Sequence, residues 1–341
     1  MNDTSKYLTK QVRDLFADPG EIVLVTHVNP DGDAIGTMLG FYWLLKKKGY
    51  PVNMIVPNEI PFFLEWLPGY HQIVISEINH DKATALIRNA ELLICLDFNE
   101  SDRLGDLEEE FLKAGATKIL IDHHPDPGDF TDHIIAFTAL GSAAELVYYL
   151  AIELGMRELI DKTVAECLFT GIMTDTGCFS FSSSQPETYL VVADLLKTGI
   201  DKDRIYMQVY DNYSADRMRL LGYSLNDKMV VLPEYRTAYI SLTEKELQKY
   251  NHVTGDTEGF VNILFSIKGI RLTALFIEKK DHIKISFRSR GDFHINKFSE
   301  RHFNGGGHKN AAGGESNLSL EQTIDKFVKL LPGYAKELLS G

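Results

Sequence analysis

Over its first two hundred residues the chain carries two kinds of apolar pattern. Short strand-like runs rich in Val, Ile and Leu occupy residues 22–25, 52–56, 72–75, 92–97 and 118–121. In other stretches, at 34–48, 81–89, 107–114 and 165–172, apolar side chains return every three or four positions. A run that is apolar at nearly every position suits a strand buried on both faces, and the longer period suits a helix covering one of those faces. Their alternation predicts βαβ units and a mainly parallel sheet flanked by helices. Helix 34–48 is the clearest case. Ile35, Met38, Leu39, Tyr42 and Leu45 form its stripe, Lys46, Lys47 and Lys48 stand where the helix dipole favours cations, and Gly49 stops it.

Residues 185–227 read instead as consecutive helices, including 188–197 and 215–225, with a break at Gly199 and Asp201. From Met229 the pattern turns to β runs at 229–232, 237–242, 272–277 and 283–288, with helices at 243–250, 259–266, 296–302 and 320–330. The expected fold class is α/β. A first domain spans 1–198, a helical linker 199–227, and a smaller α/β domain with a mixed sheet 228–341.

Several of the apolar elements end in acids or imidazoles. After run 22–25 comes Thr26-His27-Val28-Asn29-Pro30-Asp31-Gly32-Asp33, where Pro30 and Gly32 supply a tight turn that can aim His27, Asp31 and Asp33 into one space. In an open α/β sheet the carboxyl ends of strands are where ligands bind. Two carboxylates one residue apart repel unless cations offset them, and an imidazole beside them suits a transition metal better than calcium. Turn and helix-cap duty for Asn29, Asp31 and Asp33 is the plainer reading. Run 92–97 ends in Asp97, which a cap or turn role would also explain. Run 118–121 ends in Asp122-His123-His124, otherwise a polar loop or a His packed at the sheet edge. Asp175 follows helix 165–172 between Thr174 and Thr176-Gly177, and alone it is a helix-terminal Asp. Together, His27, Asp31, Asp33, Asp97, His123 and Asp175 form a ligand set large enough for two cations about 3.5–4 Å apart with one carboxylate bridging, an arrangement suited to phosphoryl hydrolysis.

In the second half the chemical feature is Gly305-Gly306-Gly307-His308 with Arg288 and Arg290 upstream. Glycines let backbone N–H groups approach a phosphate, and two arginines spaced by two share a strand face and can grip it with forked hydrogen bonds. Ordinary surface charges beside a loop are the plainer reading. Composition narrows the partners. With 341 residues, 44% hydrophobic and 24% charged, the chain has the make-up of a globular protein with more than one core. A formal net charge of −13 argues against a long duplex-binding surface, so a phosphate-bearing substrate is expected to be small or neutralised by metal. Residues 1–10 carry no leader-like apolar stretch and no run approaches a membrane-spanning length, so a cytoplasmic protein without a membrane partner is expected. Cys95, Cys167 and Cys178 are expected as reduced core residues.

These motifs, in this order, resemble the DHH phosphoesterase superfamily: His27-x-x-x-Asp31-x-Asp33, Leu96-Asp97, Asp122-His123-His124 and Thr174-Asp175-Thr176-Gly177. Phe287-Arg288-Ser289-Arg290 and the stretch from Asn304 to Gly313 resemble the DHHA1 substrate domain of its NrnA-type branch, nanoRNases that are also pAp phosphatases. Many relatives carry four glycines before the His, whereas Asn304 takes the first of those places here. The resemblance implies one metal on His27, Asp31 and Asp97 and another on Asp33, Asp97, His123 and Asp175, with Asp97 bridging. It implies manganese, with magnesium or cobalt as alternatives. It places His124 at the scissile phosphate or leaving group, Asp122 behind the imidazoles, and Arg288, Arg290 and Gly305 to His308 on the substrate in a domain that closes over the metals.

The implied enzyme hydrolyses short oligoribonucleotides to mononucleotides and dephosphorylates 3′-phosphoadenosine 5′-phosphate (pAp), and a homodimer is implied too. The nearest alternative acts on linear dinucleotides such as pApA. A family II pyrophosphatase or exopolyphosphatase fits less well, since Ser289-Arg290 is followed by Gly291-Asp292-Phe293 rather than by the Lys-Lys-Gln of those enzymes. A RecJ-like exonuclease would need a basic channel. A nucleotide-binding regulator without turnover would have no physical need for clustered carboxylates.

Overall fold

Ile22, Val23, Leu24 and Val25 are all buried because the strand they form lies inside a six-stranded sheet with helices on both faces. The structure is a computed structural model that describes residues 6–340, apart from the side chain of His308. It divides into two compact units, Met1–Asn212 and Tyr213–Gly341.

The first unit runs α1 (Lys10–Leu15), β1 (Ile22–Val25), α2 (Gly32–Lys48), β2 (Val52–Val56), β3 (Val74–Ile75), α3 (His80–Asn89), β4 (Leu92–Leu96), α4 (Glu108–Lys113), β5 (Thr117–Asp122), β6 (His133–Ala136), α5 (Ala143–Glu153), α6 (Lys162–Asp175), α7 (Pro186–Leu196) and α8 (Lys202–Tyr210). Its strand order is β3-β2-β1-β4-β5-β6, and every neighbouring pair is parallel. Ile22 is in register with Val52 on one side and Leu92 on the other, so the order of the chain reverses between β1 and β4. Thr26 Oγ1 donates to Leu96 O at 2.8 Å and ties the two strand ends together at this switch point.

One helix packing sets the spacing of everything above those strand ends. Gly32, Gly36 and Gly40 lie four apart on α2 and face Thr174, Cys167 to Gly171, and Leu168 of α6. A Cβ on Gly36 would stand 2.6 Å from Cys167 O and 2.7 Å from Gly171 N, so only glycine permits this approach. α2 is buried at most of its positions as a result.

Two elements of this unit do not announce themselves in the pattern. β6 is an edge strand with only Ile135 fully buried, and its apolar run from Ile134 to Phe137 is short and follows polar loop residues. α5 is buried on nearly every side and lacks the polar face that makes a helical period visible. The run at 72–75 yields a strand only at Val74–Ile75, because Tyr70–Gln72 is a 3-10 turn. All three cysteines are free thiols, Cys95 and Cys167 buried and Cys178 half-buried.

The second unit runs α9 (Ala215–Asp227), β7 (Met229–Leu232), β8 (Thr237–Leu242), α10 (Glu244–Lys249), α11 (Phe260–Ile263), β9 (Leu272–Glu278), β10 (Ile283–Ser289), α12 (Ile295–Phe303), β11 (Gly306–His308), β12 (Ala311–Ser316) and α13 (Leu320–Leu339). Its sheet, β11-β12-β10-β9-β8-β7, is antiparallel except for the β8–β9 pair. Phe276, Phe287, Phe298, Phe303 and Phe327 fill the core beneath α12 and α13. α8 packs Ile205 and Val209 into the first unit's core, whereas α9 packs Leu220 into the second. No helix among the described residues is long and apolar enough to cross a membrane.

Two stability tests follow from these contacts. Gly36→Ala overpacks α2 against the α6 backbone and is expected to lower stability by about 1–3 kcal/mol in urea unfolding. In the second unit, burial alone would raise the Glu246 carboxyl, but bonds from Lys228, the Thr243 backbone and Tyr223 outweigh it and hold its pKa at about 2. A depressed carboxyl contributes stability that is present above its ordinary pKa, roughly 4.3, and is lost as pH falls towards the folded value. The deficit of Glu246→Gln relative to wild type, seen in urea midpoints near neutrality, is therefore expected to shrink as pH falls through that window; a deficit that is the same at both ends would refute the assignment.

Candidate metal centre

Each proposed ligand reaches the β1–β4 switch point by a local rule. β1 delivers His27. Asp31 caps the N-terminus of α2, its Oδ1 accepting from the amides of Asp33 and Ala34 at 3.0 Å each, and so turns the chain back over the sheet. Asp33 lies in the first turn of α2, almost fully buried. Its Oδ1 accepts from Thr37 Oγ1 and Ala144 N at 3.0 Å each, and its Oδ2 from Ala143 N at 2.6 Å. Those two amides open α5, where the helix dipole favours an anion. β4 ends at Leu96, and Asp97 follows in left-handed backbone at φ 66, its N–H donating to Ile121 O of β5 at 3.1 Å. β5 ends in Asp122 and presents His123 and His124; α6 ends in Asp175.

The side chains converge in three overlapping groups: His27, Asp31 and Asp97; Asp33, His123 and Asp175; and Asp97, His123 and His124. Within each group the candidate ligand atoms lie within 4.8 Å of one another. His123 Nε2 is 3.4 Å from Asp97 Oδ1, 3.5 Å from Asp175 Oδ2 and 3.7 Å from Asp33 Oδ2. Adjacent ligands roughly 2.1 Å from a shared ion stand about 3.0–3.5 Å apart, so these spacings fit a cation. The two oxygens of Asp97 face different histidines: Oδ1 looks to His123, and Oδ2 lies 3.9 Å from His27 Nε2. That is the placement a bridging carboxylate needs.

The hydrogen bonds of the two rings fit as well. His27 Nδ1 is 2.9 Å from Val28 O, and His123 Nδ1 is 3.4 Å from Leu140 O. A proton on each Nδ1 donates to a carbonyl and leaves the Nε2 lone pair for a ligand role. Burial pushes both Asp97 and Asp33 above the usual carboxylate range, Asp97 strongly so with the Asp33 charge adding to it. Burial alone would depress His123, but Asp175, Asp97 and Asp33 together hold it well above the ordinary imidazole value. Burial takes His27 the other way, to about 4. Asp97 Oδ1 is buried with no hydrogen-bond partner among the described residues. A buried carboxylate oxygen aimed into a ring of imidazoles and acids, with His123 Nε2 no nearer than 3.4 Å, is what a site built for cations presents.

His124 is held differently. Its Nδ1 lies 2.7 Å from Asp122 Oδ1, and Asp122 is fully buried at the end of β5. Burial opposes ionisation of Asp122, yet the bond to His124 together with the charges of His124 and His123 outweighs it and brings the carboxyl below its usual range.

The remaining candidates belong to the second unit. Arg288 lies on β10 with Nη1 donating to Phe287 O at 2.9 Å, while Arg290 falls just beyond the strand end. Arg290 stacks 4.4 Å over the Phe265 ring and donates to Phe265 O at 3.3 Å. The glycines form a hairpin of β11 with β12 at the sheet edge rather than an irregular turn. Gly305 packs against Gly313 O and Ser299 Oγ, and Gly307 adopts φ 134, so both are demanded by the fold itself. Gly306 is different, since a Cβ there would meet nothing. The side chain of His308 lies outside the described residues.

A model of the DHH family, N-terminal domain, matches residues 21–172, and one of the DHHA1 domain matches residues 239–337. A crystal structure of an exopolyphosphatase-related protein from Bacteroides fragilis is 42% identical, covers 97% of this chain and 99% of its own, and superposes with a TM-score of 0.91. The chain belongs to the DHH family. This DHH protein is also 28% identical, over 86% of its length and 88% of the relative's, to the bifunctional oligoribonuclease and PAP phosphatase NrnA of Bacillus subtilis. To the protein of the same name from Thermus thermophilus it is 28% identical, over 92% and 90%.

Metal should show itself in stability before activity. At a Mn²⁺ concentration one hundred times its Kd, linkage adds roughly 2.7 kcal/mol to the folded state. The wild-type melting temperature is expected to rise accordingly, and Asp97→Ala to remove that rise; an Asp97→Ala protein still stabilised by Mn²⁺ to the same degree would sink the bridging role.

Proposed function

We propose that this protein is a phosphoesterase dependent on two divalent cations, hydrolysing short oligoribonucleotides to mononucleotides and removing the 3′-phosphate of pAp. The observation that carries this reading is the convergence of His27, Asp31, Asp33, Asp97, His123 and Asp175 at the switch point around an unbonded Asp97 oxygen. The relatives named as oligoribonuclease and PAP phosphatase support the substrate class. Manganese suits a set of carboxylates and imidazoles, with magnesium and cobalt as alternatives, and a cytoplasmic homodimer is the expected form.

His27, Asp31 and Asp97 would hold one ion, and Asp33, Asp97, His123 and Asp175 the other. Bound there, the pair supplies Lewis-acid polarisation of the phosphate and a lowered pKa for water. The chain's own groups do the rest. Asp122 fixes the His124 ring through Nδ1, which leaves the far nitrogen to meet a phosphate oxygen or pass a proton to the departing oxygen. Arg288, Arg290 and the Gly305–His308 stretch are proposed to hold a second phosphate of the substrate, with Gly306 as the point of backbone approach.

Turnover of pAp, pApA, a five-residue RNA, a long RNA, pyrophosphate and polyphosphate should be compared with Mn²⁺ present. Rapid cleavage of pAp and the short RNA, with little action on the long RNA or the inorganic substrates, is expected; preference for pyrophosphate or polyphosphate would overturn the nucleotide reading, and preference for pApA would move it to linear dinucleotides. His124→Ala is expected to lower kcat by about 10²–10⁴ while Mn²⁺ content is retained.

A further inference from the structure

Arg103 lies outside every motif described above, yet the fold brings it to the metal centre. It sits on the 3-10 segment Ser101–Leu107, which is fastened to the loop between β1 and α2. Val28 N–H donates to Arg103 O at 2.7 Å. Two residues on, Gly105 takes φ 55 and ψ −131 and comes so near that a Cβ would stand 2.8 Å from Val28 Cγ1. The Arg103 side chain is exposed, and its Nη2 lies 3.2 Å from His27 Nδ1.

His27 Nδ1 thus has two claimants of opposite kind. Val28 O can only accept, and a guanidinium can only donate. A histidine that offers Nε2 to a cation beside Asp97 keeps its proton on Nδ1 and gives it to Val28 O. In that tautomer Nδ1 has no lone pair for Arg103. No carboxylate among the described residues pairs with this guanidinium, so in that tautomer its donors stand beside the centre with no side-chain acceptor among the described residues.

Charge indicates what they are for. The aspartates of the ligand groups facing His27 and His123 are Asp31, Asp33, Asp97 and Asp175, and together they balance two divalent cations. A phosphate arriving at that neutral set brings negative charge that none of its members meets. A guanidinium, with paired N–H groups in a fixed plane, matches phosphate oxygens in geometry as well as sign. We infer that Arg103 is a substrate-binding residue whose guanidinium takes a non-bridging oxygen of the phosphate under attack, from the His27 side of the centre. This inference rests on the phosphoesterase reading and adds a phosphate contact that lies outside the metal ligands.

The alternative is that Arg103 merely positions His27, and metal binding separates the two. Mn²⁺ affinity is measured by electron paramagnetic resonance without phosphate, and binding of inorganic phosphate and of AMP by calorimetry on the Mn²⁺-loaded protein, for wild type, Arg103→Gln and Arg103→Lys. Removing a charge-assisted bond should weaken phosphate and AMP about 10- to 100-fold in Arg103→Gln, with Arg103→Lys intermediate. Mn²⁺ affinity should stay the same or tighten, since a cation beside His27 has gone. Arg103 is exposed, so unchanged melting temperatures are expected and checked in each variant. An Arg103→Gln protein that binds phosphate as wild type does, or that loses Mn²⁺ in step with phosphate, overturns the inference. Wild-type protein that binds phosphate through Arg103 yet turns over no nucleotide would instead defeat the proposed substrate class and support the contact.

Discussion

The structure of the first unit depends on how closely α2 can lie on α6. Gly32, Gly36 and Gly40 strip one face of α2 of side chains, and α6 answers with Gly171. Backbones in near contact bring the start of α2 and the end of α6 together, which is what lets Asp33 and Asp175 reach the same His123 nitrogen. A methyl on Gly171 would stand 2.7 Å from Ala144 Cβ and 2.8 Å from Asp33 Oδ1, so the same seam admits the start of α5. From there Ala143 and Ala144 donate their amides to Asp33. Packing that costs helix propensity at each glycine thus creates a space in which acids from distant parts of the chain meet.

Such a space is electrostatically uneasy without cations. Asp33 and Asp97 are buried nearly completely, and each is pushed towards its neutral form. The fold relieves this only in part. Asp33 spends both oxygens on amides and a hydroxyl, whereas Asp97 Oδ1 is left unbonded although His123 stands 3.4 Å away. Removing charge from the interior would be the easier route to stability, since buried ionic groups are often replaceable by apolar ones without loss. Retention of the whole set therefore makes sense as stability given up for function.

Much of this was open to reading in the amino-acid order, and the physical reason is simple. A strand buried on both faces is an apolar run, so the residue that ends it is conspicuous, and His27, Asp97 and Asp122 are each the first titratable residue after such a run. The mixed second sheet was visible in β7 to β10 as well, where β9 is a largely apolar run and β10 alternates apolar and polar side chains. Other features leave no comparable trace. Three glycines four apart inside a helix look like weak helix formers until the partner helix is known. α5 has no polar face to set a period against, and β11 and β12 are too rich in glycine to resemble strands. Arg103 lies on an exposed segment whose polar residues follow no rhythm; only its tether to Val28 and its distance to His27 reveal it.

Asp97 shows how backbone and site chemistry are joined. A non-glycine residue at φ 66 is uncommon, costing on the order of 1 kcal/mol, and aspartate tolerates this conformation better than most. Continuing β4 in extended form would send residue 97 on along the sheet. The left-handed turn instead ends the strand while its N–H still bonds to Ile121 O of β5, so the residue stays pinned beside the neighbouring strand as its side chain turns away from the ladder. One oxygen then looks towards the histidine carried by β1 and the other towards the histidine after β5. At Asp97 the strain falls where two of the candidate ligand groups have their carboxylate in common.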